Sequence, residues 1–160
     1  MQQVLTRDFG WLNSDQCVEL DFPSGLPGFE QEKRFALIQQ DALAPLVLLQ
    51  SAMTPQVCFL TVPVQSVDPG YRIGITPEDC KTVDLGSADQ IAPPSLSPTS
   101  LAKDLLCLAI LSSTGEDHQI TANLLAPVFV NLKTRVGVQA VRSDVQYSHQ
   151  HPLPGSPVCS

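Results

Sequence analysis

Few side chains in this sequence have the types and spacing that catalysis or metal binding needs. His149 and His151 lie two residues apart, so on a strand they would face the same side and could hold one metal ion. The stretch 147–152 contains no cysteine or carboxylate to complete such a site, so we expect an exposed or hydrogen-bonded pair. Ser148 precedes His149, but adjacent strand residues point to opposite faces and are not placed to act as nucleophile and base.

Two further patterns imitate functional sites. Glu30 and Glu32 could share one face of a strand as paired carboxylates, but Lys33 and Arg34 follow them, which is typical of a charge-balanced surface. The segment 25–28, Gly-Leu-Pro-Gly, lacks the spacing of a phosphate-binding loop, and the nearby Pro23 and Pro27 remove amides that would cradle a phosphate. No G-x-S-x-G elbow is present. We therefore expect no catalytic residue, no metal site, no cofactor and no small-molecule substrate.

Charge and cysteine usage restrict the partners and the compartment. Nine basic residues against sixteen acidic ones give a net charge of -7, which repels nucleic-acid phosphates and favours a basic protein as partner. The charge could also serve solubility alone. Five cysteines without a C-x-x-C pair indicate reduced thiols. With no secretion signal and no apolar run near the roughly 20 residues of a membrane helix, a cytoplasmic location is expected.

The elements that would position these groups are mostly short strands. Hydrophobic residues make up 43% of the 160 residues, and 14 prolines with 9 glycines suit strands joined by tight turns. Alternating or β-branched segments predict strands at 18–22, 34–39, 45–51, 57–64, 71–75, 105–111, 120–125, 128–132 and 136–141. Pro63 is expected at an edge, an end or a bulge. The pattern predicts a mainly β, antiparallel or mixed barrel or sandwich.

A short helix and a loop interrupt the strands. Thr76 followed by Pro77 and two acids is typical of a helix start, and Gly86 would end that helix. Residues 87–102 are rich in proline and serine, which predicts an exposed loop. We expect one domain over 1–153 and a disordered tail over 154–160.

Two blocks of sequence are more specific than these patterns. The first is Phe22-Pro23-Ser24-Gly25-Leu26-Pro27-Gly28-Phe29-Glu30, continued by 33–35 and 49–51; the second is Thr121-Ala122-Asn123-Leu124-Leu125-Ala126-Pro127, continued by Asn131-Leu132-Lys133-Thr134-Arg135 and Gly137. They resemble the FPxGLPGFE and (T/V)NLLAPIVIN-x-KTR-x-G stretches of the flagellar assembly factor FliW family, and 147–153 resembles its usual ending. Val62, where the family usually has aspartate, and the long 87–102 stretch depart from the pattern.

Each block also has a structural interpretation. Prolines and glycines fix a turn from which Phe22, Leu26 and Phe29 plug the core. The second block predicts a buried strand pair joined by a basic turn. Both interpretations are compatible with a protein that binds partners through its surface, because rigid turns keep a binding surface in one conformation.

The resemblance implies a β-barrel-like single domain that acts as a regulator and not as an enzyme. It also implies two protein partners, flagellin and the RNA-binding translational regulator CsrA. In that family FliW keeps CsrA from flagellin messenger RNA, and flagellin competes for FliW as its chaperone-like client. A small-ligand-binding β-barrel and an enzyme with a scattered site remain alternatives.

The segment 68–84 is the predicted contact surface for CsrA. It carries the acids Asp68, Glu78, Asp79 and Asp84, with only two cations among them, and Tyr71 beside a Pro-Gly pair. Acids steer a basic partner, and tyrosine is enriched in interface hot spots. The alternative is that these acids only cap and solubilise the short helix.

Overall fold

More than half of the residues that the structure describes lie in strands, and Val64–Val67 form a short helix. The computed structural model describes residues 3–6, 10–13, 17–39, 45–69, 71, 82, 105–114, 119–140 and 147–153. The strands are β1 (Gln3–Thr6), β2 (Gly10–Asn13), β3 (Cys17–Asp21), β4 (Arg34–Gln39), β5 (Val47–Ser51), β6 (Cys58–Pro63), β7 (Leu105–Thr114), β8 (Gln119–Ala122), β9 (Val128–Asn131), β10 (Val136–Gln139) and β11 (His151–Pro152). The helix α1 spans Val64–Val67.

Seven strands close into a barrel. Their order around it is β3, β4, β5, β6, β7, β9 and β10, and β10 returns to β3. Every pairing is antiparallel except this last one, which rests on the single parallel pair Val136 and Asp21. The mainly β, mixed barrel architecture is therefore confirmed, and closure removes the edges that an open sheet would expose.

Strand β7 is ten residues long, and its two ends pair with strands of different sheets. Its first residues, Leu105–Leu108, pair with β9 as part of the barrel wall. Its last residues, Leu111–Thr114, pair with β8, and β8 in turn pairs with β11. β1 and β2 form a separate antiparallel hairpin.

Side chains fill the barrel interior and also cover parts of its outer face. The interior cluster includes Leu20, Phe22, Phe35, Leu49 and Leu108. Outside the barrel, one cluster joins β6, β7, β9 and β10 to α1, and another covers β4 and β5. Burial on both faces explains why β4 and β5 have few polar residues despite the two-residue period of a strand.

The sequence predictions for β3 through β10 are confirmed within a few residues. Pro63 ends β6 as expected, and α1 begins directly after it, where the sequence predicted only the end of a strand. Val64 and Val67, three apart on α1, bury against the barrel, which accounts for a helical turn in a β-branched segment.

Other predictions fall outside the described residues. These are the helix start at Thr76, the loop 87–102 and the tail 154–160, together with the strand 71–75 except for Tyr71. Thr82, which lies within the predicted helix, is described and is helical. The hairpin β1–β2, the helix α1 and the short β11 were not predicted. Within the described ranges, no helix has the length and apolar character needed to cross a membrane.

Candidate protein-binding site

The first block of sequence forms the turn between β3 and β4, here named the glycine turn (residues 22–33). The Gly25 N–H donates to the Phe22 carbonyl at 2.8 Å, and the Phe29 N–H donates to the Leu26 carbonyl at 2.7 Å. Gly25 and Gly28 have φ of 64° and 85°, which favour glycine. A Cβ on Gly25 would lie 2.6 Å from the Glu30 Cα, so the backbone itself excludes a side chain there.

The three apolar residues of the glycine turn have different environments. Phe22 and Leu26 are buried in the barrel interior, and Phe22 meets Phe35 edge-on at 5.2 Å between ring centroids. Phe29 is instead 40% exposed and packs edge-on against Phe59 at 5.1 Å. The expectation that all three plug the core is therefore correct for Phe22 and Leu26 and wrong for Phe29.

The second block forms the turn between β9 and β10, here named the asparagine turn (residues 131–135). The Asn131 Oδ1 accepts hydrogen bonds from the Lys133 and Thr134 N–H groups at 2.9 and 3.4 Å. Arg135 has φ of 61°, and its N–H donates to the Asn131 carbonyl at 2.7 Å. Asn123 uses the same device, because its Oδ1 accepts from the N–H groups of Leu125 and Ala126.

The two blocks meet at the seam where the barrel closes. The Asp21 N–H donates to the Arg135 carbonyl at 2.9 Å. The Phe22 ring lies over Gly137, where a Cβ would be only 2.4 Å from its Cζ. The buried side chains of the second block, Leu124 and Ala126, lie in or near the outer cluster that covers the barrel, with Pro127 buried beside them. The blocks thus specify the closed fold.

The β5–β6 turn (residues 51–57) is tied to the glycine turn by Ser51. The Ser51 Oγ accepts from the Met53 and Thr54 N–H groups at 3.1 and 3.0 Å. Its hydroxyl donates to the Glu32 carboxylate at 3.1 Å. The buried Gln50 amide donates to the Pro55 and Val57 carbonyls at 3.0 and 3.1 Å. The bond to Glu32 joins the two turns, and the other bonds fix the shape of the β5–β6 turn.

A groove of about 490 Å³ lies between these two turns. We name it the acidic groove; its lining consists of Gly28, Phe29, Glu30, Gln31, Glu32, Met53 and Thr54. Phe29 and Met53, exposed by 40% and 66%, are two of the three large hydrophobic residues that are exposed in the described part of the chain. No pattern in the sequence indicated this groove, because its walls come from two turns that only the fold brings together.

The cations expected to balance Glu30 and Glu32 point elsewhere. The Lys33 Nζ donates to the Pro23 carbonyl at 3.0 Å. Arg34 lies 3.5 Å from Glu19 and 3.7 Å from Asp21, on the surface of β3. The segment is solvated as expected, but the described contacts of Lys33 and Arg34 are with Pro23, Glu19 and Asp21 and not with Glu30 or Glu32.

The predicted CsrA surface is only partly described. Glu78, Asp79 and Asp84 lie outside the described residues, and Asp68 is half-buried at the end of α1. Tyr71 is 1% exposed. Its hydroxyl donates to the Leu124 carbonyl at 2.7 Å, and its ring lies 4.4 Å from that of Tyr147. The side chain belongs to the outer core cluster, so Tyr71 does not offer the surface contact with CsrA that the sequence suggested.

The remaining candidates for chemistry are dispersed. His149 is exposed and His151 is half-buried. Among the described residues, no group of three or more His, Cys, Asp or Glu side chains could hold a metal ion. Cys17, Cys58 and Cys107 are thiols, and burial raises the pKa of the Cys17 thiol. Cys80, Cys159 and His118 lie outside the described residues.

Comparison with known proteins gives one consistent result. The FliW protein family model matches residues 3–153. The flagellar assembly factor FliW of Syntrophomonas wolfei is 32% identical over 151 residues, covering 94% of this chain and 88% of the relative. That of Bacillus subtilis is 30% identical over 152 residues, covering 95% and 96%. A crystal structure of the flagellar assembly factor FliW superposes with a TM-score of 0.72 at 26% identity, covering 96% of this chain and 97% of that one. The chain therefore belongs to the FliW family of flagellar assembly factors.

Proposed function

We propose that this protein controls flagellin production by binding the translational regulator CsrA and flagellin in turn. Bound CsrA is kept from flagellin messenger RNA; flagellin then displaces CsrA, which represses further synthesis of flagellin. The observation that carries the proposal is the family match over residues 3–153, nearly the whole chain. The net charge of -7 supports it, because it complements a basic RNA-binding partner. This role places the protein in the cytoplasm, where messenger RNA is translated.

The proposed contact surface for CsrA is the acidic segment 68–84. Asp68, Glu78, Asp79 and Asp84 supply the charge that steers the encounter. Tyr71 is assigned a positioning role, because its buried hydroxyl and ring hold the start of the segment against Leu124 and Tyr147.

The function is tested with purified CsrA, flagellin and a labelled flagellin messenger leader. Adding this protein to the CsrA–RNA complex should release the RNA, and adding flagellin afterwards should restore the complex. RNA that stays bound at saturating concentrations of this protein would contradict the proposed antagonism. A failure of flagellin to restore the complex would contradict the exchange.

The surface is tested by reversing the charges of Glu78, Asp79 and Asp84 together. Association with CsrA should slow and become less dependent on salt, while dissociation changes little. A control variant with the same change in net charge reverses three acids elsewhere in the sequence: Asp15, Glu116 and Asp117. Equal slowing in both variants would show that net charge acts, and not this segment.

A further inference from the structure

We propose that the acidic groove is a docking site for a short extended peptide segment of a partner protein, one that carries an apolar side chain between basic side chains. The site is built from the glycine turn and the β5–β6 turn, and it does not share residues with the acidic segment 68–84. The proposal therefore goes beyond the binding of CsrA through that segment and does not depend on it.

The first argument is apolar exposure at a fixed place. Phe29 and Met53 both line the acidic groove, and both expose much of their side chains. Burying such groups against a partner is favourable by about 25 cal/mol for each Å² of apolar surface. Two exposed apolar side chains facing one groove, within a rim of polar residues, are typical of an interaction surface.

The second argument is preorganisation. Phe29 is held at its base by the Phe59 ring and by the backbone bond to Leu26. The Ser51 hydroxyl joins the opposite wall to Glu32. A ligand that enters this groove meets walls already fixed, so little conformational entropy is lost on binding.

The third argument is charge, and it selects the occupant. Glu30 and Glu32 line the groove, and the described residues that line it include no cation. Lys33 and Arg34, the nearest cations in sequence, engage Pro23, Glu19 and Asp21 instead. A groove lined by both acidic and apolar side chains complements a segment with an apolar anchor flanked by lysine or arginine. Gly28 adds room for a backbone to approach, because nothing lies within 4 Å of where its Cβ would be.

Met53 provides a direct probe of binding, because the chain contains only two methionines, Met1 and Met53. Protein labelled with ¹³C at the methionine methyl groups is titrated with the capped peptide Gly-Lys-Leu-Phe-Lys-Gly. The Met53 methyl signal should shift in a saturable way. A counterpart with glutamate in place of both lysines, and one with serine in place of leucine and phenylalanine, should shift it far less.

Variants then measure the contributions of the two walls by fluorescence anisotropy of the labelled peptide. Met53→Ser should weaken binding roughly tenfold, as expected for loss of a central apolar contact. Glu30→Gln should weaken it a few-fold at low salt, with the difference shrinking as salt rises. Ile120→Ser is the matched control, since Ile120 is 38% exposed but does not line the groove, and it should leave the affinity unchanged.

Several results would overturn the proposal. They are a Met53 signal that the basic peptide leaves unchanged up to millimolar concentration, equal shifts with the acidic peptide, and equal losses in Ile120→Ser and Met53→Ser. A Met53 signal that moves on dilution of the protein alone, without responding to peptide, would assign the groove to a second copy of this chain. None of these outcomes bears on the release of RNA from CsrA, so the two proposals fail independently.

Discussion

The glycine turn and the asparagine turn reverse the chain by different means, although both border the same seam of the barrel. The glycine turn relies on the absence of a side chain, since backbone atoms occupy the space beside Gly25. The asparagine turn relies on a side chain that is present, since the Asn131 amide oxygen accepts from two backbone N–H groups. Its positive-φ position is occupied by Arg135, whose side chain is exposed. Excluded volume therefore constrains the first turn more strictly than hydrogen bonding constrains the second.

The largest effect is expected from Gly25→Ala. The new Cβ would overlap backbone atoms of Phe29 and Glu30, in addition to the strain of a positive φ, so the free energy of unfolding should fall by more than about 3 kcal/mol. Gly28→Ala is the matched control: its φ is also positive but the space is open, so a loss of only about 1 kcal/mol is expected. Urea unfolding of both variants provides the comparison, and similar losses would show that φ alone matters.

Gly137→Ala tests how the two turns depend on one another. Its Cβ would meet the buried Phe22 ring, and a loss of about 1–3 kcal/mol is expected. Phe22→Leu should relieve the overlap, so the double variant should be more stable than the sum of the single losses predicts, with a coupling of about 1 kcal/mol. The measurement is a double-mutant cycle by urea unfolding. Strict additivity would contradict the contact.

Asn131→Ala should lower the free energy of unfolding by less than Gly25→Ala or Gly137→Ala does. It removes the acceptor for the Lys133 and Thr134 N–H groups, which corresponds to about 1–2 kcal/mol. Asn131→Asp keeps an acceptor and should retain most of the stability. Thermal unfolding that is unchanged in the alanine variant would show that water replaces the amide at no cost.

Arg135→Gly should change stability least. Relief of the positive φ favours glycine by about 1 kcal/mol, and the greater freedom of glycine in the unfolded chain offsets much of this. We expect unfolding free energies within about 0.5 kcal/mol of each other. A loss beyond 1 kcal/mol would indicate that the arginine side chain itself stabilises the turn, and the contrast between the two turns would then fail.

Local patterns in the sequence predicted the strands well because alternation and β-branching are properties of neighbouring residues. They left open whether the sheet closes, since closure depends on β7 meeting β9 and β10 meeting β3, contacts that no short window contains. The helix α1 was missed because Val64 and Val67 continue the β-branched run of β6.

The candidate sites were harder to predict for the same reason. Tyr71 lies among acids and beside a proline and a glycine, which suggests a surface, but its partner Leu124 comes from a distant part of the chain. Phe29 belongs to an apolar turn motif in which only the fold decides which ring faces outward. The resemblance of the two blocks indicated the family, but the groove between Phe29 and Met53 exists only in the folded protein.

The barrel is completed by the pair of Asp21 and Val136, so it cannot close on the ribosome until β10 has been synthesised. When β6 leaves the ribosome, β3 to β6 can already form a meander, but its two outer strands have no neighbours until β7, β9 and β10 exist. At about 5–20 residues per second, roughly 4–15 s pass between the synthesis of Pro63 and of Gln139. During that interval the nascent chain presents open strand edges and an unfilled apolar face. Its exposure to aggregation is therefore set by the rate of translation as well as by the stability of the finished barrel.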